Sequence, residues 1–503
     1  MTSTALGETD TSAYQAEQML QKGEWAVGAY STFDRPAVLR IAEAAARAAA
    51  AKAAEYADWA VEETGFGVAE HKKIKNELCS LGIFEHYKDQ DNTGYRIDRQ
   101  RKIVEVARPA GVIFALTPST NPVCSVFFKV MLSLLTRNAI VISPHPAARR
   151  CCTDAALTMA KAAEAAGAPD GVIQVLAEPS LPLIDQMMKS ERTAVILATG
   201  GSPMVRAAYS SGNPALGVGP GNCPAYVDAS ADVAAAARRI VDSKAFDNSV
   251  LCTNESAIIA HAGISDALKR ELKKNGSHLC TEAEAAQVEA GLFPEGRFNL
   301  QMLGRPATWI ARECGFSVPE ATRILAVPLA RIGDDYPLSR EKLCPVIGYY
   351  EVADAEAGLI ASRAMVRRHG AGHSAALHCR DPRLVLRFAA ELNVLRIAVN
   401  APCSVGASGF ETHLAPTMTV GTGFFGRSSI AENVGPQHLV QWVRAAFHKD
   451  EEVDFGQFEG LPLYEGEADP PPPAGNPSDR PDIRAEIRQI ILEELGNLRA
   501  ELV

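Results

Sequence analysis

From Gly111 onward the chain alternates short, almost wholly apolar runs with longer stretches of helical periodicity. Residues 111–116, 139–142, 172–176 and 194–198 are runs of this kind, bounded by residues that favour turns. Continuous apolar runs of that length predict strands buried on both faces, and strands alternating with helices predict βαβ units around a parallel sheet. A second series at 257–260, 344–348, 375–378 and 396–399 repeats the pattern. Upstream, residues 14–63 are rich in Ala, Glu, Lys and Arg with apolar positions at helical spacing, which predicts two or three helices; 103–107 alternates like a strand. The expectation is an α/β protein of two doubly wound domains with a cleft between them, ligands gathering at the carboxyl ends of the strands.

The pattern breaks near the end. Residues 469–477 read Asp-Pro-Pro-Pro-Pro-Ala-Gly-Asn-Pro, a linker whose four consecutive prolines favour an extended conformation and cannot join a core. Ser478, Asp479 and Pro481 then form a helix-start signal. Ile483, Ile487, Ile490, Ile491, Leu495, Leu498 and Leu502 share one face, with Glu486, Arg488, Glu493, Glu494 and Arg499 mostly on the other. A tethered amphipathic helix buries such a stripe on a partner, on its own subunit or on a copy of itself.

A length of 503 residues fits two or three domains, and 47% hydrophobic with 22% charged residues is the balance of a protein with a large core. The net charge of -10 is spread along the chain and argues against a nucleic-acid surface. No run of uncharged apolar residues is long enough to span a bilayer, and residues 1–10 lack the marks of a signal peptide, so a cytoplasmic location is expected. The 11 cysteines form no Cys-x-x-Cys pair or Cys/His cluster. Neither a disulfide framework nor a metal centre is therefore expected, and most should be buried thiols.

Four stretches carry candidate chemistry. At 246–256 an apolar run ends in Cys252 and turns polar, which suits a thiol at the mouth of a cleft. At 116–122, directly after a strand, Asn121 offers a side-chain amide that can donate to an oxyanion, although Ser, Thr, Asn and Pro also make an ordinary turn. At 198–202 and 217–222, Gly-rich segments allow a dinucleotide close to the backbone. The fourth stretch, 340–345, holds Glu341 and on pattern alone is a charged loop or helix end. A literal Gly-x-Gly-x-x-Gly at Gly421, Gly423 and Gly426 lacks the βαβ context of a dinucleotide fingerprint and is set aside.

Together these stretches resemble the aldehyde dehydrogenase superfamily over roughly residues 15–460, and within it the coenzyme A-acylating branch. The segments at 117–122, 142–147, 198–201, 217–222, 341–345, 372–374 and 432–436 carry the likeness. The resemblance implies an NAD-dependent oxidation in which Cys252 is the nucleophile and Asn121 the oxyanion donor. It puts Glu341 on the nicotinamide ribose, and Thr199, Gly200 and Gly201 beside the cofactor. The turn of Ser143, His145 and Pro146 would lie near the adenosine ribose, and Thr117, Pro118, Val218, Gly219 and Pro345 would complete the cofactor site. His373 is a candidate acid or base, with a structural role as the alternative. No metal is implied.

Two departures from the superfamily pattern are informative. Hydrolytic members place a Glu that activates water where this chain has Val218, and valine takes no proton. The acyl-enzyme then waits for another nucleophile, and a thiol suits that role. Near Ala148 the acidic residue that selects NAD is missing, and Arg149 and Arg150 follow, so NAD is expected with NADP as the alternative. The resemblance further implies a small aldehyde and coenzyme A as substrates, a homodimer or homotetramer, and interface segments at 103–107 and 453–463. It orders the chain as N-terminal helices and cofactor domain (1–230, with 95–110 in an oligomerisation flap), catalytic domain (231–430), a return to cofactor domain and flap (431–465), linker (466–480) and terminal helix (481–503). That tail resembles the encapsulation peptides that recruit enzymes to bacterial microcompartment shell proteins. The competing readings are a hydrolytic aldehyde dehydrogenase and a catalytically idle scaffold.

Overall fold

The computed structural model describes residues 3–464, except Asp334, Arg368 and Glu451, with side chains from Thr11 onward. The Pro-rich linker and amphipathic helix expected at 466–503 lie outside the described residues. Three helices, Ser3–Tyr30, Arg35–Ala51 and Ala53–Thr64, open the chain. The second starts where the Asp34 carboxylate accepts from the Ala37 amide, and it buries Val38, Ile41, Ala42, Ala45, Ala46 and Ala49. That 3–4 spacing is the apolar stripe the sequence predicts, made narrow by alanine so that neighbouring helices approach closely.

Two strands follow, β1 (Tyr95–Asp98) and β2 (Ile103–Pro109), paired antiparallel. Five parallel strands come next: β3 (Val112–Leu116), β4 (Ala139–Ser143), β5 (Ile173–Val175), β6 (Thr193–Thr199) and β7 (Ala215–Val218), in the spatial order β5-β4-β3-β6-β7. The helix Pro122–Leu135 between β3 and β4 is buried on all sides. Its Lys129 Nζ donates to the carbonyls of Leu116 (2.5 Å) and Leu197 (2.9 Å), tying β3 to β6. With no carboxylate as partner, burial lowers that ammonium to about 7.

A second parallel sheet holds β8 (Cys223–Val227), β9 (Glu255–His261), β10 (Ser277–Leu279), β11 (Ile324–Pro328), β12 (Val346–Val352), β13 (Ala375–His378) and β14 (Ile397–Val399). Its order is β10-β11-β12-β9-β8-β13-β14. Finally β15 (Val440–Ala446) returns to pair antiparallel with β2, closing a small three-stranded sheet. All eight apolar runs anticipated from 111 to 399 are strands. Residues up to Phe458 form one unit; the described part of the other, 459–464, is mostly exposed turn. Among the described residues, no helix is long and apolar enough to cross a membrane.

Candidate active site

In the first sheet the strand order reverses between β3 and β6, and the crevice at such a switch point is where ligands collect. A cavity of about 360 Å³ opens there. The turn after β3 supplies Pro118 to Asn121, the turn after β6 supplies Thr199 to Ser202, and the end of β7 supplies Val218 to Pro220. The opposite wall comes from the second sheet, which presents the amino ends of its strands: Cys252 precedes β9 and Glu341 precedes β12. The first sheet thus presents its carboxyl ends to the cavity, as expected of it, while the second presents its amino ends.

The loop bearing Cys252 is held by unusual backbone. Asp247, Asn248 and Ser249 all have positive φ (48°, 49° and 65°), a left-handed run that costs roughly 1–2 kcal/mol per non-glycine residue. The cost is offset by specific bonds. The Asp247 carboxylate accepts from the Val68 amide (2.6 Å), from Lys72 Nζ (3.0 Å) and from Lys75 Nζ, while the Asp247 amide donates to His71 Nδ1 (2.8 Å). Burial disfavours the Asp247 charge, but the two lysines outweigh it and hold the carboxyl below its usual range. Gly221 meets Cys252 from the other side: a Cβ there would stand 2.0 Å from the Cys252 carbonyl oxygen.

Cys252 is half-buried, whereas the other ten of the 11 cysteines are buried. Burial, with the Glu341 charge adding to it, pushes its thiol up to about 12, against the pull of Arg396 and of a backbone hydrogen bond. The resting site therefore holds a thiol. Glu341 is raised to about 7 by burial, opposed by the hydrogen bond from the Gly221 amide (3.1 Å) and by Lys244 and Lys342. Among the described residues it is the one carboxylate lining the cavity. Asn121 sits opposite as the residue before helix Pro122–Leu135, yet its side chain does not cap that helix. Its Oδ1 instead accepts from Lys75 Nζ (2.5 Å), and its Nδ2 makes only long contacts, 3.3 Å each, to Thr120 Oγ1 and the Val250 carbonyl.

Of the residues singled out from sequence, Cys252, Asn121, Pro118, His145, Thr199, Gly200, Gly201, Val218, Gly219 and Glu341 share this cavity. Thr117 and Ser143 are buried behind it, joined by a bond from the Thr117 amide to the Ser143 carbonyl (3.1 Å). Pro345 is buried, Pro146 is exposed, and neither lines the cavity. His373 is buried outside the wall, its Nδ1 2.9 Å from Ser374 Oγ. Burial, aided by the Arg396 charge, lowers its imidazole to about 3, so it is neutral here. The discounted glycines at 421, 423 and 426 serve loop packing: a Cβ on Gly421 would meet the Glu432 carbonyl at 2.5 Å, and none of the three lines the cavity.

Several residues had no signal in the sequence. Ser408, Thr417, Met418 and Val420 form much of the remaining wall. Arg396 is buried with its guanidinium on the carbonyls of Gly372, His373, Gly421 and Ala431 and on Asn433 Oδ1, so its charge is fixed near Cys252 without a carboxylate. Away from the site, His278, Cys280 and Glu284 bring three possible metal-ligand atoms within 4.8 Å. Glu284 is already engaged there by the Thr281 amide (2.7 Å) as a helix cap.

The cavity fits a dinucleotide in two respects. Gly200, Gly201 and Gly219 leave open backbone along it, and the buried hydroxyl of Thr199 has no partner among the described residues.

A model of the aldehyde dehydrogenase family matches residues 2–291. The chain belongs to the aldehyde dehydrogenase family. It is similar to the bifunctional aldehyde–alcohol dehydrogenase of Escherichia coli (strain K12), with 37% identity over 436 residues, 86% of this chain and 49% of that one. The chain thus spans about half the length of the curated aldehyde–alcohol dehydrogenases it matches. Among solved structures of the family, an acetylating aldehyde dehydrogenase from Geobacillus thermoglucosidasius is 34% identical with a TM-score of 0.86, covering 89% of this chain and 99% of that one. The propionaldehyde dehydrogenase of Rhodopseudomonas palustris, solved with bound propionyl-CoA, is 25% identical with a TM-score of 0.78, covering 86% and 94%.

Proposed function

We propose that this protein oxidises a short-chain aldehyde and transfers the acyl group to coenzyme A, with Cys252 as nucleophile. The observation that carries the reading is the pairing of Cys252 with Val218 in one cavity, where hydrolytic relatives would need a carboxylate at 218. Cys252, its proton given up to solvent, adds as thiolate to the carbonyl carbon while the C=O electron pair moves to oxygen, and Asn121 Nδ2 with the Cys252 backbone amide holds the oxygen that becomes negative. A nicotinamide cofactor along Thr199 to Gly201 supplies the two-electron acceptor when bound. The acyl thioester left on Cys252 has no base at 218 to activate water, so the thiol of coenzyme A takes the acyl group. Glu341 orients the cofactor ribose, and its charge opposes ionisation of the thiol beside it.

NAD is the favoured cofactor. The Glu63 carboxylate already accepts from the amides of Arg150 (2.7 Å) and Cys151 (2.8 Å) at the helix start beside Ala148, and Arg149 pairs with Glu178. A 2'-phosphate would meet that carboxylate instead of free donors. The sheet of β1, β2 and β15 supplies a subunit interface in a dimer or tetramer, and residues 481–503 recruit the enzyme to a microcompartment shell protein. Deleting residues 470–503 should abolish co-purification with shells while activity is kept; retained association contradicts that part.

Mass spectrometry of the protein incubated with propionaldehyde and NAD, but no coenzyme A, tests the reaction. A stable acyl group on Cys252 that leaves on adding coenzyme A is expected. Free propionate forming at full rate, with no acyl-enzyme, would instead favour the hydrolytic reading, with Glu341 at about 7 as the available base.

A further inference from the structure

Lys72 and Lys75 lie three residues apart on the helix Ala69–Glu77, so both face the same way, and both are buried (3% and 2% exposed). Two ammonium groups meet one carboxylate, Asp247, at the root of the Cys252 loop. Their second partners differ. Lys72 donates to the Thr120 carbonyl (3.2 Å), a backbone contact, whereas Lys75 donates to Asn121 Oδ1 (2.5 Å). Lysine can only donate, so this contact dictates which end of the Asn121 amide faces inward. The oxygen is turned to Lys75, and the N–H groups are left on the cavity side, held only by two contacts of 3.3 Å. A charge-assisted bond to Oδ1 also draws electron density from the amide nitrogen and makes its N–H a stronger donor.

We propose that Lys75 is a positioning residue for the reaction: it fixes and polarises the Asn121 amide so that Nδ2 donates to the oxygen developing negative charge on the carbonyl attacked by Cys252. The inference rests on the role given to Asn121 in the proposed function. Lys72 serves a different end, since it holds Asp247 and the Thr120 backbone without touching the amide. A purely structural Lys75, needed only to neutralise Asp247, would act on the Cys252 loop whether or not Asn121 were present.

The test is a double-mutant comparison of wild type, Lys75→Met, Asn121→Ala and the double variant, in the full chain with propionaldehyde, NAD and coenzyme A. Lys75→Met is expected to lower kcat by about 10- to 100-fold with the NAD KM held within about twofold, and to lower it by less than about twofold once Asn121 is already Ala. Lys75→Arg, which keeps a donor, should recover part of the loss. Iodoacetamide alkylation of Cys252, which creates no oxyanion, should fall far less than kcat in Lys75→Met, since Lys72 still holds Asp247. Equal losses of kcat in both Asn121 backgrounds, or alkylation slowed in parallel with turnover, would overturn the proposal. If Lys75→Met does not fold, Lys75→Gln, which keeps a neutral donor, should give a smaller loss of kcat that again falls below about twofold once Asn121 is Ala. Coenzyme A-dependent turnover of wild type tests the reaction itself, and the ratio of the two Lys75 effects tests this inference.

Discussion

A Cβ added to Gly221 would stand 2.0 Å from the carbonyl oxygen of Cys252. The added Cβ would strike backbone, so no side chain can move aside to relieve it. Gly221→Ala should therefore displace the nucleophile while leaving the two sheets intact. A loss in kcat on the order of 10²-fold is expected, with a melting temperature close to wild type. Turnover within a few-fold of wild type would mean that the loop carries no positional constraint.

Glu341 raises the Cys252 thiol through its charge, second only to burial. Removing that charge favours the thiolate, so Glu341→Gln should lower the thiol below its present value of about 12. Iodoacetamide alkylation at pH 8 should accelerate in the variant, even as cofactor-dependent turnover falls. An unchanged or slower alkylation rate would show that Glu341 does not act on the thiol.

Val218 lies at the end of β7, buried in the cavity wall. Val218→Glu restores a carboxylate where hydrolytic relatives have one. Turnover without coenzyme A should rise in this variant, read as NADH formed with propionaldehyde alone. A variant that folds but gains no such turnover would argue that water cannot reach the thioester from this side.

His373 and His378 are both buried and held neutral, at about 3 and about 4, chiefly by burial. In the unfolded chain each titrates near 6.5, so between that value and the folded values the unfolded state binds more protons. The stability these groups permit is complete above about 6.5 and is lost as pH falls toward 4. The melting temperature should drop across that window, and His373→Gln should flatten the slope. A slope unaltered by the substitution would place the acid sensitivity elsewhere.

Eight of the twelve strands in the two parallel sheets could be read because an apolar run buried on two faces leaves little else for the sequence to do, whereas β7, β8, β10 and β11 were not anticipated. The cavity was legible where short motifs follow strands, as at Asn121, Thr199 and Glu341. What could not be read comes from contacts between distant segments. Lys75 reaches Asn121 and Asp247 from positions 46 and 172 residues away. Arg396 reads in sequence as the start of an apolar strand run, and only folding shows its guanidinium ringed by carbonyls beside Cys252. Ser408, Thr417, Met418 and Val420 form part of the wall from irregular loops, which have no period to reveal them. The second sheet's reversed presentation, amino ends to the cleft, was hidden for the same reason.

The central claim is that an acyl group passes from Cys252 to coenzyme A. The most direct measurement is cofactor reduction with propionaldehyde and NAD, with and without coenzyme A, in wild type and Cys252→Ala. Turnover that requires both coenzyme A and Cys252 is the predicted result. Sustained turnover of the wild type without coenzyme A would contradict the acylating mechanism, and turnover surviving Cys252→Ala would remove the nucleophile on which it rests.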